Sequence, residues 1–296
     1  MTGPSAGTQL KSWDDRLRGV AEVVAPLTLL TALLSYFGYV TSYAQFAYFG
    51  IDLTALGMST PDLVLRSVAA LYVPLLVLLG AGLGAYLLHG ALRDLAAAAR
   101  RTLLFWAGLL TAAAGVLLVA RAIYGIVVPD VAEREVTATT PLCLGFGALW
   151  CAYGGYLAQA VRRAGRPPTP AARRGGRAVV VAVCGVVVLS LFWTTNSFAG
   201  AYGRGQGAAD SARLTERPDV VLDTKERLYL RYPGVEETAL PVAEAQEFRF
   251  RYRGLRLLIE ANGKLFLVPE QWREGGAVLV VPHDDSTRAQ FQPGVR

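Results

Sequence analysis

The sequence predicts an α-helical membrane bundle, five transmembrane helices with the amino terminus inside and the carboxyl terminus outside, followed by a small C-terminal all-β extracytoplasmic domain. Three observations lead there. The 296 residues are 53% hydrophobic, and between about Gly19 and Ala201 the apolar residues gather into five runs. Each run is roughly twenty residues, enough to cross ~30 Å of hydrocarbon as a helix. The connectors between the runs differ sharply in charge, and beyond Pro218 the apolar period changes from helical to alternating.

Charge sets the expected orientation. The connector RRAGRPPTPAARRGGR, Arg162 to Arg177, holds six arginines and no acid. Insertion retains such a connector on the cytoplasmic side. With Lys11, Arg16, Arg18, Arg93, Arg100 and Arg101, the segments read as inside hold twelve Lys or Arg, whereas the outside connectors hold one, Arg134. An odd number of spans then delivers the last third of the chain outside. From Ala201 onward there are fourteen basic and fourteen acidic residues, so the +6 net charge lies wholly in the membrane part. Insertion explains it, and nucleic acid is not an expected partner.

Residues 1–18 form a short polar cytoplasmic start, and 19–202 the membrane domain. Span one, about 19–41, is too long for the apolar core of a cleavable signal and lacks a small-residue cleavage site. Glu22 at its inner end reads as a snorkelling or Arg-paired carboxylate, and Tyr36, Phe37, Tyr39, Tyr43, Phe46, Tyr48 and Phe49 as an interfacial aromatic belt. In the following loop Asp52 caps a short helical turn that Gly57 ends. Ser59 or Thr60 caps span two (about 63–88), with Pro61 at its first helical position and Asp62 near its positive end. Pro74 is expected to bend that span, and Gly80 and Gly84 to pack it closely against another helix of the same chain rather than form a homodimer seam.

Span three, about 103–128, contains Arg121; span four, about 141–161, follows an acidic loop with Asp130, Glu133 and Glu135. Gly145, Gly147, Gly154 and Gly155 make span four a packing surface. Span five, about 178–201, carries Ser190, Thr194, Thr195, Asn196 and Ser197 in its outer half. Cys143, Cys151 and Cys184 all lie in spans and read as small apolar residues; Cys143 and Cys151, eight apart on one helix, are roughly 12 Å apart, too far for a disulfide.

A Gly/Ala/Arg-rich linker, about 203–217, leads to the β-domain, 218–290, and a tail, 291–296. VVLDT, RLYLR, EFRFRYRG, LRLLIEA, KLFLVPE and AVLVVP read as six strands. Asn262-Gly263 predicts a type I′ hairpin joining Arg256–Ala261 to Lys264–Pro269. Phe248, Phe250 and Tyr252 would share one strand face, and Arg249, Arg251 and Arg253 the other. So few residues without a cysteine make a small core, expected to lean on the membrane helices or on copies of itself.

The pattern YFGID, STPD and LRS between Tyr48 and Ser67 resembles uncharacterised bacterial multi-pass membrane proteins. The resemblance covers about twenty residues strictly and extends loosely to RYRGLRLL and LFLVPEQW in the tail. It implies no particular activity; the expected location, from the spans, is the plasma membrane.

The search for chemistry yields no catalytic, cofactor-binding or metal motif: no HExxH, phosphate-binding glycine loop or G-x-S-x-G elbow is present. His283 in PHDDST reads as part of a turn, because adjacent extended residues point to opposite faces. Arg66, about one turn inside span two, and Arg121, about 10 Å deep in span three by helix rise, form a candidate intramembrane charge site with Asp52 and Asp62. The plain expectation pairs the arginines with Asp52, Asp62, Asp130 or Glu133. The alternative makes them an outward positive vestibule with a polar lining of Thr194, Thr195 and Asn196. The expected function is therefore non-enzymatic: display of a β-domain for binding or assembly in the cell envelope. Its expected partners are the lipid bilayer, an envelope protein or polymer, or further copies of the chain. The alternative is an oligomeric ion channel or transporter.

Overall fold

The computed structural model describes residues 6–98, 101–163, 169–241 and 247–294. The side chains of Lys11, Arg16, Arg18, Arg93, Arg100 and Glu133 lie outside the described residues, as does Arg166. Five long helices are present, α1 (Ala6–Ala47), α3 (Thr60–Ala98), α4 (Arg101–Val127), α6 (Thr139–Arg163) and α7 (Pro170–Ala212), with short helices α2 (Leu53–Leu56) and α5 (Pro129–Arg134). All five are long and apolar enough to cross a membrane. A separate antiparallel sheet follows: β1 (Asp219–Thr224), β2 (Glu236–Ala239), β3 (Phe250–Ala261), β4 (Lys264–Pro269), β5 (Leu279–Pro282) and β6 (Thr287–Gln292).

Two compact units divide the chain, one of residues 1–70 with 200–296, the other of residues 71–199. The second is built on α4 against α6, and glycine permits their approach. A Cβ on Gly154 would stand 2.4 Å from the Ala112 nitrogen, and one on Gly115 would stand 2.5 Å from the Cys151 nitrogen. Gly147 likewise faces Val119 and the Gly115 carbonyl, and Gly145 faces the Ser190 hydroxyl at 2.5 Å. Gly155 has nothing within 4 Å. Gly80 and Gly84 also meet nothing within 4 Å among the described residues. Small residues permit close approach but do not supply the partner ridge.

The first unit joins helix ends to the sheet. Its strand order is β5-β4-β3-β1-β6, with β2 beside the first half of β3. EFRFRYRG and LRLLIEA prove to be one strand, bent at a bulge where Val220 pairs with Leu255 and Leu222 with Tyr252. Gly254 permits it: its φ is +77°, and a Cβ there would lie 1.9 Å from the Gly234 carbonyl oxygen. The Asn262-Gly263 turn joins β3 to β4 with φ of 50° and 65°, as type I′ requires.

RLYLR is not a strand. Tyr229 takes φ +53°, and Leu230 packs on the sheet while the Leu228 N–H donates to the Tyr252 hydroxyl at 2.8 Å. Two polar strands, β2 and β6, take the ladder positions instead; β6 carries Phe291 and Gln292 out of the predicted tail into pairing with β1. Tyr252 is fully buried and Arg253 exposed, in line with the expected two faces, while Arg251 turns to a buried carboxylate.

The segment read as a linker, 203–217, is helical to Ala212 and then forms a 3-10 turn, Leu214–Glu216. Two of its glycines serve contact: a Cβ on Gly203 would be 2.2 Å from the Thr41 carbonyl oxygen, and one on Gly207 2.7 Å from the Tyr48 Cβ. They bring α7 against the end of α1.

Candidate functional site

The decisive local feature is the FGID stretch that ends α1. Tyr48 and Phe49 close the helix, and Ile51 N–H donates to the Phe46 carbonyl at 3.0 Å, turning the chain back. Asp52 then caps α2, accepting from the Thr54 amide and hydroxyl at 2.9 Å each, and these bonds hold its carboxyl below the ordinary range. Gly57 ends α2 in the left-handed conformation. The result is an apolar plug. Phe46, Phe49, Ile51, Leu53 and Leu56 form one buried cluster with Leu258, Phe266, Val268 and Trp272. The Phe49 ring lies 4.9 Å from that of Trp272.

β4 is consequently covered on both faces. Phe266 and Val268 meet the plug, while Leu265 and Leu267 join Val220, Leu222, Tyr252 and Leu255 in a second cluster on the other face. The expectation that a small β-core leans on the helices is met in this detail.

A polar relay lies beside the plug. Arg66 on α3 donates to the Gln45 side-chain oxygen at 3.0 Å and stacks 5.4 Å from the Phe46 ring centre. Gln45 donates in turn to Asp210 at 2.6 Å. Asp210 pairs with Arg217 at 2.6 Å, and Arg217 donates to the Leu258 carbonyl at 3.1 Å. Hydrogen bonds thus run from α3 through α1 and α7 to β3. Arg256 continues the line, donating to the Arg217 carbonyl at 3.2 Å and pairing with Glu270.

This corrects the expected pairing of Arg66. Asp52 is engaged by α2, and Asp62 by Ser59, whose amide and hydroxyl donate to it at 3.0 and 2.6 Å in a capping box. A short carboxylate beside a helix start is satisfied by its own backbone before it reaches a side chain one turn on. Gln45, Asp210 and Arg217 were not singled out from the sequence. The available signal was Gln45, a lone amide within an aromatic belt.

In the other unit Arg121 pairs with Glu135, the C-cap residue of α5, rather than with Asp130. Thr140, buried at the start of α6, donates to the same carboxylate at 3.4 Å. One Arg121 terminal nitrogen, Nη1, and the Thr194 hydroxyl are buried without a hydrogen-bond partner among the described residues. Thr195 donates back to the Leu191 carbonyl at 2.8 Å, an intrahelical bond. Asn196 is half-buried.

In the sheet, Asp223 is fully buried and receives Arg251 at 2.7 and 2.9 Å and Arg288 at 2.7 Å. These donors, Arg251 foremost, hold its carboxyl below the ordinary range against the opposing effect of burial. PHDDST forms the turn between β5 and β6: the Ser286 amide donates to Asp284 at 2.9 Å, and His283 Nδ1 meets Glu260 at 2.8 Å. Among the described residues no three His, Cys, Asp or Glu side chains come together as a metal site would require. Cys143, Cys151 and Cys184 are free.

No protein-family model, curated protein or solved structure matches this chain.

Proposed function

We propose that this chain is a multi-pass plasma-membrane protein whose five helices hold a small extracytoplasmic β-head for binding or assembly in the cell envelope, without catalysis of its own. The single supporting observation is the plug. The end of α1, the turn after it and α2 together contribute half of the buried apolar cluster under the sheet, so the head is fixed to its helix ends rather than tethered. A fixed head suits a recognition or assembly surface held at a set height above the lipid. The connector charges support the amino terminus inside and the head outside.

The competing reading, an oligomeric channel or transporter with a positive vestibule, requires arginines available to a passing anion. Arg121, the deeper of the two, is paired with Glu135, which favours the structural role. Topology is tested with a cysteine at Ser286 in a chain whose three native cysteines are replaced. Labelling by a membrane-impermeant thiol reagent in intact cells is expected; labelling only after lysis overturns the orientation. Photo-crosslinking from the exposed Arg253 is expected to trap an envelope component. Anion flux in liposomes that Arg121→Ala abolishes would replace the binding reading with the channel.

A further inference from the structure

A cavity of about 410 Å3 opens between the start of α3 and the β3–β4 hairpin, within the size range of small-molecule sites. Its walls differ in chemistry. Arg66 supplies the one cation among the residues lining it; Asp62 and Glu260 supply two carboxylates; Met58, Leu65 and Ile259 supply apolar lining, Leu65 at the exposed mouth. The two carboxylates are partly engaged, Asp62 by Ser59 and Glu260 by His283. The guanidinium is less so. It has five N–H groups, one donates to Gln45, and no carboxylate lies within 4 Å of it among the described residues. A half-buried cation with donors left over, at the edge of a helix apolar enough to span a bilayer, marks a place for an anionic group.

The outer side of the cavity continues into apolar surface. Leu65 is 73% exposed and Val68 59% exposed on the same helix. A ligand whose anion reaches Arg66 can therefore lay a hydrocarbon chain along α3 against Leu65 and Val68. The carboxylates decide what accompanies the anion. A net negative headgroup would meet Asp62 and Glu260 with repulsion, whereas a headgroup carrying both a phosphate and an ammonium satisfies both signs.

We propose that this cavity binds the zwitterionic headgroup of a bilayer phospholipid, its phosphodiester on Arg66 and its ammonium toward Glu260 and Asp62, with an acyl chain against Leu65 and Val68. This rests on the reading of the helices as membrane spans and adds a ligand to it. The site would register the head against the lipid surface, because Arg66 is also the first member of the relay through Gln45 and Asp210.

The test uses the full chain in a non-ionic detergent and dihexanoyl phosphatidylethanolamine as probe, with binding read by isothermal calorimetry. Saturable binding to one site is expected, weakened at least tenfold in Arg66→Gln. Because Arg66 also bonds Gln45, a second variant leaves it intact: Leu65→Trp, at an exposed position, fills the cavity mouth and should weaken binding equally with an unchanged thermal midpoint. Dihexanoyl phosphatidylglycerol should bind at least tenfold more weakly than the ethanolamine lipid. Equal affinity of the two lipids overturns the role given to the carboxylates. Inorganic phosphate binding as tightly as the lipid makes this a free-anion site and overturns the headgroup assignment. Absence of binding, or affinity unmoved in both variants, removes the site. The assay runs in detergent whichever way the chain is inserted, so its failure leaves orientation untouched, and a failed topology test leaves the cavity's affinity standing.

Discussion

Replacing Phe49 by alanine should loosen the sheet, although Phe49 belongs to a helix end far from the strands in sequence. The ring is 4% exposed and lies against Trp272 at 4.9 Å and Tyr48 at 5.5 Å. Truncating a buried phenylalanine costs about 3–5 kcal/mol, cavity included. A value of ~4 kcal/mol corresponds to a factor of about a thousand in an equilibrium constant. That loss falls on β4, whose Phe266 and Val268 have the plug as their apolar cover. Hydrogen exchange of the Leu265–Val268 amides, measured on the full chain in detergent, should accelerate by about three orders of magnitude where opening governs exchange. Tyr43→Ala on the same helix, 52% exposed, serves as control and should change the rates by no more than about twofold. Exchange in Phe49→Ala within tenfold of the parent would refute the claim that the helix end carries the head.

The same substitution should have opposite signs at two glycines. Gly154→Ala drives a Cβ to 2.4 Å from the Ala112 nitrogen and should lower stability by about 1–3 kcal/mol, whereas Gly80→Ala meets nothing within 4 Å and should be neutral or stabilising in a thermal melt. Arg251→Met removes the foremost donor to buried Asp223 and should cost about 2–3 kcal/mol at neutral pH. The folded carboxyl lies below its ordinary value of 3.8, so this stabilisation is full above that pH and is lost as pH falls through the lowered folded value. The gap between parent and variant melting temperatures should therefore be constant near neutrality and close below about pH 4; a gap independent of pH contradicts the pairing. For Arg121 and Glu135, the double change to leucine should be no more destabilising than Glu135→Leu alone, because the single change strands a half-buried guanidinium. A strictly additive double-mutant cycle would refute their coupling.

Much was legible in the residues themselves. Five apolar runs became five long helices because span length and composition are local properties, and Asn262-Gly263 specified its hairpin because few residue pairs tolerate two consecutive positive φ angles. Asp52 and Gly57 bounded α2 for the same local reason. Strand identity was less local. RLYLR alternates as a strand does, yet alternation encodes half-burial and not a ladder partner; its leucine at 230 is half-buried by lying over the sheet, while polar EETA and TRAQFQ hold ladder positions.

What tertiary structure alone decided was partnership. Glycine at 203 and 207 reads equally as a flexible linker or as a close contact, and only the end of α1 opposite them makes it the second. Gly80 and Gly84 read the same way, and a Cβ at either meets nothing within 4 Å among the described residues. Arg66 advertises its charge in the sequence, but Gln45 and Asp210, twenty-one residues before it and well over a hundred after it, became its relay through packing of three helices. Composition records what a side chain needs, an opposite charge, a donor, an apolar cover. Which group meets that need depends on where distant segments of the chain are brought together.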